Sequence, residues 1–160
     1  MSRSPIGSTP VVEGTAAEPP ILVSACLLGV ACNHLGRASA SDAVIELSRT
    51  RRVVPVCPET MGGLPTPRPA AEIQADGRVT TSDGVDVTDR YERGARATVE
   101  LALAVGAREA VLKERSPSCG CHQVYNGSFS RTRMPGEGVT ARALRQAGVE
   151  VRSEEDVSDI

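Results

Sequence analysis

The 160-residue sequence lacks tryptophan and has only three aromatic residues, Tyr91, Tyr125 and Phe129. Proteins that bind single-stranded nucleic acid stack successive bases on aromatic side chains, and three aromatic residues are too few for such a surface. A surplus of positive charge is also missing, since 18 basic and 20 acidic residues give a formal net charge of −2. Binding by neutralisation of phosphates requires a basic surplus. We therefore expect no nucleic-acid partner.

Long hydrophobic runs are absent as well. No apolar segment approaches the roughly 18 residues of a membrane span, so we expect no membrane partner. Residues 1–20 contain four of the eleven prolines and scattered apolar residues, without the apolar block of an export signal. This composition predicts a flexible tail over residues 1–20 and a single domain over residues 21–160. The expected location is the cytoplasm, where thiols stay reduced.

Short apolar runs alternate with helical patterns along the predicted domain. Apolar and β-branched runs predict strands, and a period of 3.6 residues predicts helices. The predicted strands cover residues 21–24, 53–56, 110–112 and 149–151, and the predicted helices cover residues 39–47, 88–105 and 140–147. The Gly- and Pro-rich residues 62–69 predict a rigid loop. The alternation predicts an α/β fold, a Rossmann-like three-layer sandwich with a mostly parallel sheet of about four or five strands.

Three of the five cysteines follow predicted strands. Cys26, Cys57 and Cys119 come after the first, second and third strand, respectively. Because ligands bind outside the carboxyl ends of parallel strands, we expect these three thiols to lie together at that edge of the sheet. An odd number of cysteines in a reducing compartment indicates metal, cluster or catalytic thiols rather than disulfides.

Thiolates delivered by three separate loops suit a cubane iron–sulfur cluster, which is larger than a single ion. Three protein ligands would leave one iron open as a Lewis acid. A zinc site made of Cys57, Cys119, Cys121 and His122 is an alternative on ligand type, and burial of the thiols as small core residues is another. We interpret Cys121 and Cys32 as bystanders, although the position of Cys32 also allows a fourth ligand.

Two polar residues beside these cysteines are candidates for acid–base chemistry. Glu59 lies two residues after Cys57, and Ser116 lies three residues before Cys119. Each has a structural alternative, which is a helix cap or surface charge for Glu59 and a turn cap for Ser116. The charged residues 113–115 are predicted to form a solvated surface run.

Four short motifs occur in order along the chain, VSACLLG at residues 23–29, PVCPE at 55–59, GGLPTPRP at 62–69 and SPSCG at 116–120. Together with a late loop at residues 136–140, they resemble the bacterial domain-of-unknown-function family that includes an iron–sulfur-dependent thiouracil desulfidase. The resemblance extends over about residues 21–154. It implies a 4Fe-4S cluster held by Cys26, Cys57 and Cys119, with the fourth iron open to sulfur.

The resemblance also implies a reaction. The catalytic carboxylate and serine of the family would fall on Glu59 and Ser116. The expected activity is non-redox desulfuration of a thiolated nucleobase or similar small thiocarbonyl compound, in which Glu59 deprotonates the attacking water and sulfide is released. The chain departs from the family pattern at residues 33–36, where Asn-His-Leu-Gly replaces an Arg-Tyr-Asp-Gly-like run, and at Cys121-His122. The alternative is a noncatalytic iron–sulfur or zinc sensor module, which would favour a closed site with Cys32 as fourth ligand.

Overall fold

The computed structural model describes residues 18–159, in which strands and helices alternate as the sequence pattern predicts. In chain order, the elements are β1 Ile21–Ser24, α1 Asp42–Thr50, β2 Val53–Val56, α2 Pro58–Met61, β3 Ala71–Ile73, β4 Val79–Thr81, α3 Thr88–Val105, β5 Glu109–Leu112, β6 Gln123–Tyr125, β7 Arg133–Pro135, α4 Val139–Gln146 and β8 Glu150–Ser153. Two 3₁₀ helices, Ala25–Leu28 and Glu154–Asp159, directly follow β1 and β8.

The four longer strands form one parallel sheet in the order β2-β1-β5-β8. Ile21 pairs with both Val53 and Glu109, so the three strands start level with one another. Their carboxyl ends therefore meet at the same edge. Pro55 is tolerated because β2 is an edge strand, where a missing N–H costs little. The predicted parallel α/β fold is confirmed.

Side chains alternate between the two faces of the sheet, as the strand period of two requires. On one face, Leu22, Ala110 and Leu112 pack with α3 and α4 through Ala102 and Leu144. On the other face, Ile21, Val23 and Val111 pack with Val44 of α1 and with Val157 of the second 3₁₀ helix. Both faces are covered, which produces the three layers that the sequence predicts.

Some local elements differ from the prediction. Helix α1 begins at Asp42 rather than at residue 39, because the Ser41 hydroxyl accepts a hydrogen bond from the Val44 N–H and caps the helix there. The sequence did not predict α2 or the β3–β4 and β6–β7 hairpins, whose strands have only three residues each. Within residues 18–159, no helix has both the length and the apolar character to cross a membrane.

The predicted N-terminal tail falls largely outside the described residues, since residues 1–17 are not among them. The last three residues of that segment contact the domain. Pro20 is buried, and the carbonyl oxygen of Glu18 accepts a hydrogen bond of 2.8 Å from Arg52 Nη2. The prediction that the tail extends to residue 20 is therefore wrong for Glu18–Pro20.

Candidate active site

A cavity of about 650 Å³ lies at the carboxyl edge of the sheet, bordered by residues that end β1 and β2 and follow β5. Its wall also includes the Pro-rich loop after α2 and the β6–β7 hairpin. The residues expected as cluster ligands and catalytic groups all line this one cavity, namely Cys26, Cys57, Glu59, Ser116 and Cys119. The parallel register brings them together, because each follows a strand that ends at this edge.

Each of the three cysteines is placed by a short local structure. Cys26 lies in the 3₁₀ helix after β1, and its carbonyl oxygen accepts a hydrogen bond from the Ser39 N–H. Cys57 is the N-cap residue of α2. Cys119 follows a turn whose N–H groups are bonded by the hydroxyl of Ser116. The backbone at Cys26 and Cys119 is thus held by hydrogen bonds within the protein, and Cys57 begins a helix.

Burial disfavours the thiolate form of two of the three cysteines, Cys26 and Cys119. Burial, with a smaller contribution from the Cys57 charge, raises the pKa of Cys26 to about 11. Burial likewise raises the pKa of Cys119 to about 12, although a hydrogen bond with Ser24 opposes this. Buried thiolates require a compensating positive charge, which a metal centre supplies. A site lined by such thiols therefore fits an iron–sulfur cluster by the chemistry of its donors.

The alternative zinc site is not assembled. The His122 ring is more than half exposed and lies 2.8 Å from Asp156 Oδ2 through its Nε2. Cys121 packs in the core, with its Sγ directed at the Cys119 carbonyl oxygen. Within residues 18–159, no three His, Cys, Asp or Glu side chains are close enough to hold a single metal ion. The zinc interpretation is therefore not favoured by the arrangement of these residues.

Cys32 lies beside Cys57, one of the three cysteines that follow the strands. It lines the cavity, and its carbonyl oxygen accepts hydrogen bonds from Arg68 Nη2 at 2.9 Å and from the Cys57 thiol at 3.8 Å. Burial, followed by the Cys57 charge, raises the pKa of Cys32 to about 12. Cys121, in contrast, does not line the cavity.

Glu59 is buried and hydrogen-bonded from two sides. Its Oε1 accepts a hydrogen bond of 2.6 Å from the Tyr91 hydroxyl, and its Oε2 accepts two bonds from Arg68 Nε and Nη2. Burial alone would lower the pKa of Arg68, but attraction to Glu59 raises it overall. Burial, then the Glu59 charge, raises the pKa of Tyr91 far above its usual value, so the phenol remains a donor. These bonds use both carboxylate oxygens and fix the orientation of the Glu59 side chain in the cavity wall.

Sequence reasoning missed Arg68 and Tyr91 as members of the site. Tyr91 lies on the buried face predicted for the long helix, and Arg68 lies in the Gly- and Pro-rich loop. The guanidinium also donates to the Pro65 carbonyl oxygen and to Thr66 Oγ1, so Arg68 ties this loop to Glu59. The sequence offered one indication that Arg68 has a specific partner, which is that it is the one charged residue in the loop at residues 62–69.

Two glycines allow α2 to lie directly against α3, which brings Glu59 to Tyr91. A Cβ on Gly94 would lie 1.9 Å from the Pro58 carbonyl oxygen, and a Cβ on Gly62 would lie 2.0 Å from the Arg90 carbonyl oxygen. These distances are far below van der Waals contact, so any larger residue would force the two helices apart.

Replacing Gly94 with alanine is expected to destabilise the protein and to separate Glu59 from Tyr91. Overpacking against rigid backbone typically costs about 1–3 kcal/mol. This cost opposes the gain from the higher helix propensity of alanine, which is about 1 kcal/mol. Urea unfolding of the wild type and of Gly94→Ala under the same conditions would measure the difference in the free energy of unfolding.

Ala104→Gly is the matched control, because Ala104 lies on the exposed side of the same helix. This change should lower the free energy of unfolding by about 1 kcal/mol, through helix propensity alone. A Gly94→Ala protein that is more stable than the wild type would contradict the close helix contact.

Ser116 occupies the turn before Cys119. Its Oγ accepts hydrogen bonds from the N–H groups of Ser118 at 3.1 Å and Cys119 at 3.0 Å, which is the capping role considered from the sequence. Both lone pairs are used by these donors. The hydroxyl hydrogen therefore remains available to a partner in the cavity that Ser116 lines.

Glu114 is 3% exposed, so the prediction of a solvated run at residues 113–115 is wrong for this residue. Its Oε1 accepts hydrogen bonds from three consecutive N–H groups, those of residues 121–123, at 2.9–3.0 Å. Burial would raise the pKa of Glu114, but these bonds lower it overall. The carboxylate therefore fixes the chain just after Cys119. Lys113 and Arg115 form ion pairs with Glu154 and Glu155.

The chain is similar to known proteins over most of its length. The family model described as 2-thiouracil desulfurase matches residues 21–156. The uncharacterized protein YbbK of Bacillus subtilis (strain 168) is 42% identical over 149 residues, which cover 88% of this chain and 99% of YbbK. A solved structure described as the 4Fe-4S-dependent thiouracil desulfidase TudS (DUF523Vcz) is 44% identical, with a TM-score of 0.83 over 89% of this chain and 95% of that chain. The resemblance stated from the motifs is confirmed.

Proposed function

The chain belongs to the 2-thiouracil desulfurase family, and we propose on this basis that it removes sulfur hydrolytically from a thiolated nucleobase or similar thiocarbonyl compound. The observation that carries the proposal is the placement of three thiols and one buried carboxylate in the wall of a single cavity. The similar solved structure, which is described as a 4Fe-4S-dependent thiouracil desulfidase, supports the same class of activity.

Cys26, Cys57 and Cys119 are the residues that would hold a 4Fe-4S cluster in this cavity. They come from three different loops, and no disulfide joins any of the five cysteines. When bound, a cluster with one iron free of protein ligands would supply Lewis-acid chemistry toward a thiocarbonyl sulfur.

Glu59 is the proposed general base. One lone pair of Oε1 is used by the Tyr91 hydroxyl, and the other can accept a proton from water. Arg68 and Tyr91 hold the carboxylate in place through hydrogen bonds to both of its oxygens, so a water molecule in the cavity would meet it in one orientation. Ser116 would donate its free hydroxyl hydrogen to the substrate.

The overall reaction balances without an electron donor. A thiocarbonyl compound and water give a carbonyl compound and hydrogen sulfide. The C=S bond is replaced by a C=O bond, and the reaction has no net oxidation or reduction. The exchange needs a sulfur acceptor and a base. A cluster held by the three cysteines would supply the acceptor, and Glu59 would supply the base.

The sensor alternative draws on one observation, the position of Cys32 beside Cys57. A fourth thiolate there would close the coordination of a cluster. However, a sensor has no use for a carboxylate held by an arginine and a phenol in the same cavity. We therefore favour the enzyme.

The proposal is tested with protein that has been purified and reconstituted without oxygen. Incubation with 2-thiouracil should release sulfide and uracil in equal amounts, with no added reductant. The measurements are the colorimetric determination of sulfide and the chromatographic determination of uracil. A protein with a full cluster that releases no sulfide from any of a panel of thiolated pyrimidines would contradict the proposal.

A further inference from the structure

All three aromatic residues of the chain line the active-site cavity, Tyr91, Tyr125 and Phe129. Tyr91 is buried and donates to Glu59, so its place in the wall has a structural reason. Phe129 has no such reason, because 38% of its surface is exposed and it belongs to none of the three hydrophobic clusters. The one phenylalanine of the chain therefore lies at the cavity and not in the hydrophobic core.

The backbone at Phe129 is strained. Its φ is 56°, and that of Arg131 in the same loop is 59°. Bulky residues with a left-handed backbone are rare and cost free energy, and such strain persists where the surrounding structure enforces it. Both residues line the cavity.

The surrounding structure does enforce this conformation. Glu72 of β3 is 8% exposed, and its Oε1 accepts hydrogen bonds from the N–H groups of Gly127 at 3.0 Å and Phe129 at 3.2 Å. A Cβ on Gly127 would lie 2.9 Å from the Ile73 carbonyl oxygen, so only glycine allows the β6–β7 loop to approach β3 this closely. A buried carboxylate and a close backbone contact therefore hold the Phe129 ring at the cavity.

We propose that Phe129 is a specificity-determining residue whose ring stacks on the planar ring of the substrate. This inference rests on the proposed function and narrows it, because a stacking wall favours flat cyclic thiocarbonyl compounds over small acyclic ones. Stacking is insensitive to the substituents of the ring, since every such ring has a π face. Phe129 would therefore select for a flat ring, whatever the substituents of that ring.

The kinetic test compares a cyclic and an acyclic substrate, 2-thiouracil and thioacetamide, in cluster-loaded protein. Phe129→Leu should raise KM for 2-thiouracil about tenfold, which is within the loss expected for one base–aromatic stack, and change kcat by less than about threefold. KM for thioacetamide should stay unchanged. Phe129→Tyr should restore the KM for 2-thiouracil. An equal change for both substrates would indicate a merely structural role and overturn the inference.

A binding test does not depend on turnover. Because the chain lacks tryptophan, Phe129→Trp introduces a single tryptophan at the cavity, whose fluorescence can be excited separately from that of the two tyrosines. Titration with uracil, a flat ring without sulfur, should quench its fluorescence in a saturable way. The matched control is Leu103→Trp, at a position of α3 that is 67% exposed and does not line the cavity, and it should show no saturable quenching.

The two tests separate the inference from the proposed function. Desulfuration of 2-thiouracil by the wild type without quenching in Phe129→Trp would overturn the stacking role and leave the activity intact. Saturable quenching together with a wild type that releases no sulfide would support the stacking role and overturn the activity.

Discussion

Replacing Cys57 with serine is expected to abolish cluster binding, whereas the wild type should bind about four irons per chain after anaerobic reconstitution. Iron–sulfur clusters are held by thiolates, and a serine hydroxyl neither ionises as readily nor offers a soft donor. Iron content, acid-labile sulfide and visible absorption are the measurements.

The fold should survive this change, which makes the result interpretable. Cys57 is the N-cap residue of α2 with an extended backbone, and serine is among the residues preferred at that position. Among residues 18–159 the thiol contacts Cys32, and its hydrogen bond to the Cys32 carbonyl oxygen is long, at 3.8 Å. The loss of iron would therefore report on the missing ligand rather than on unfolding.

Cys121→Ser and Cys32→Ser are the controls. Cys121 is buried outside the cavity, so its serine variant should keep four irons even if it is less stable. Cys32→Ser should also keep about four irons if three thiolates hold the cluster. A full cluster in Cys57→Ser would refute the ligand assignment. Loss of iron from Cys32→Ser would instead support the closed site of the sensor alternative.

Replacing Glu59 with glutamine should leave the cluster intact and lower the rate of sulfide release by about 10²–10⁴-fold, the range for a missing acid–base group. The amide can orient its oxygen toward Arg68 and its NH₂ group toward the Tyr91 oxygen, which can accept as well as donate. Packing is therefore preserved, but the group can no longer accept a proton. The measurement is sulfide release per intact cluster without oxygen.

Glu109→Gln is the matched control, because Glu109 is also paired with an arginine, Arg51, at 3.2 Å. It begins β5, at the opposite end of the strand from the cavity. Its rate should equal that of the wild type. A Glu59→Gln protein with an unchanged rate per cluster would remove Glu59 from the mechanism, and a parallel loss of iron would assign it a structural role instead.

Local patterns explain why much of the fold was predictable. The predicted bounds of β1, β2 and α3 agree with the structure, because apolar runs and helical periodicity reflect burial of neighbouring residues on one element. The gathering of Cys26, Cys57 and Cys119 at one cavity followed from the same patterns, since a parallel sheet places the residues after its strands at one edge.

The partners of these residues could not be predicted in this way. Tyr91 lies 32 residues from Glu59 in sequence, and the two meet because Gly62 and Gly94 allow their helices to touch. Nothing in the sequence near either residue specifies this contact. The short β3 and β6 strands carry too little periodicity to be recognised, yet they place Glu72 and Phe129 at the cavity.

The sequence by itself determined the class of fold, the edge of the sheet at which the chemistry lies and the residue types that gather there, because each depends on short-range propensity and on strand order. Only the tertiary structure decided which polar groups are buried and with what partners. Glu114 belongs to a charged run that would be solvated on an open surface, and it is buried because the chain after Cys119 folds back and directs three N–H groups at its carboxylate. Cys121 packs in the core, whereas Cys32 lines the cavity. The burial of both residues depends on contacts with residues distant in sequence, which short-range patterns do not reveal.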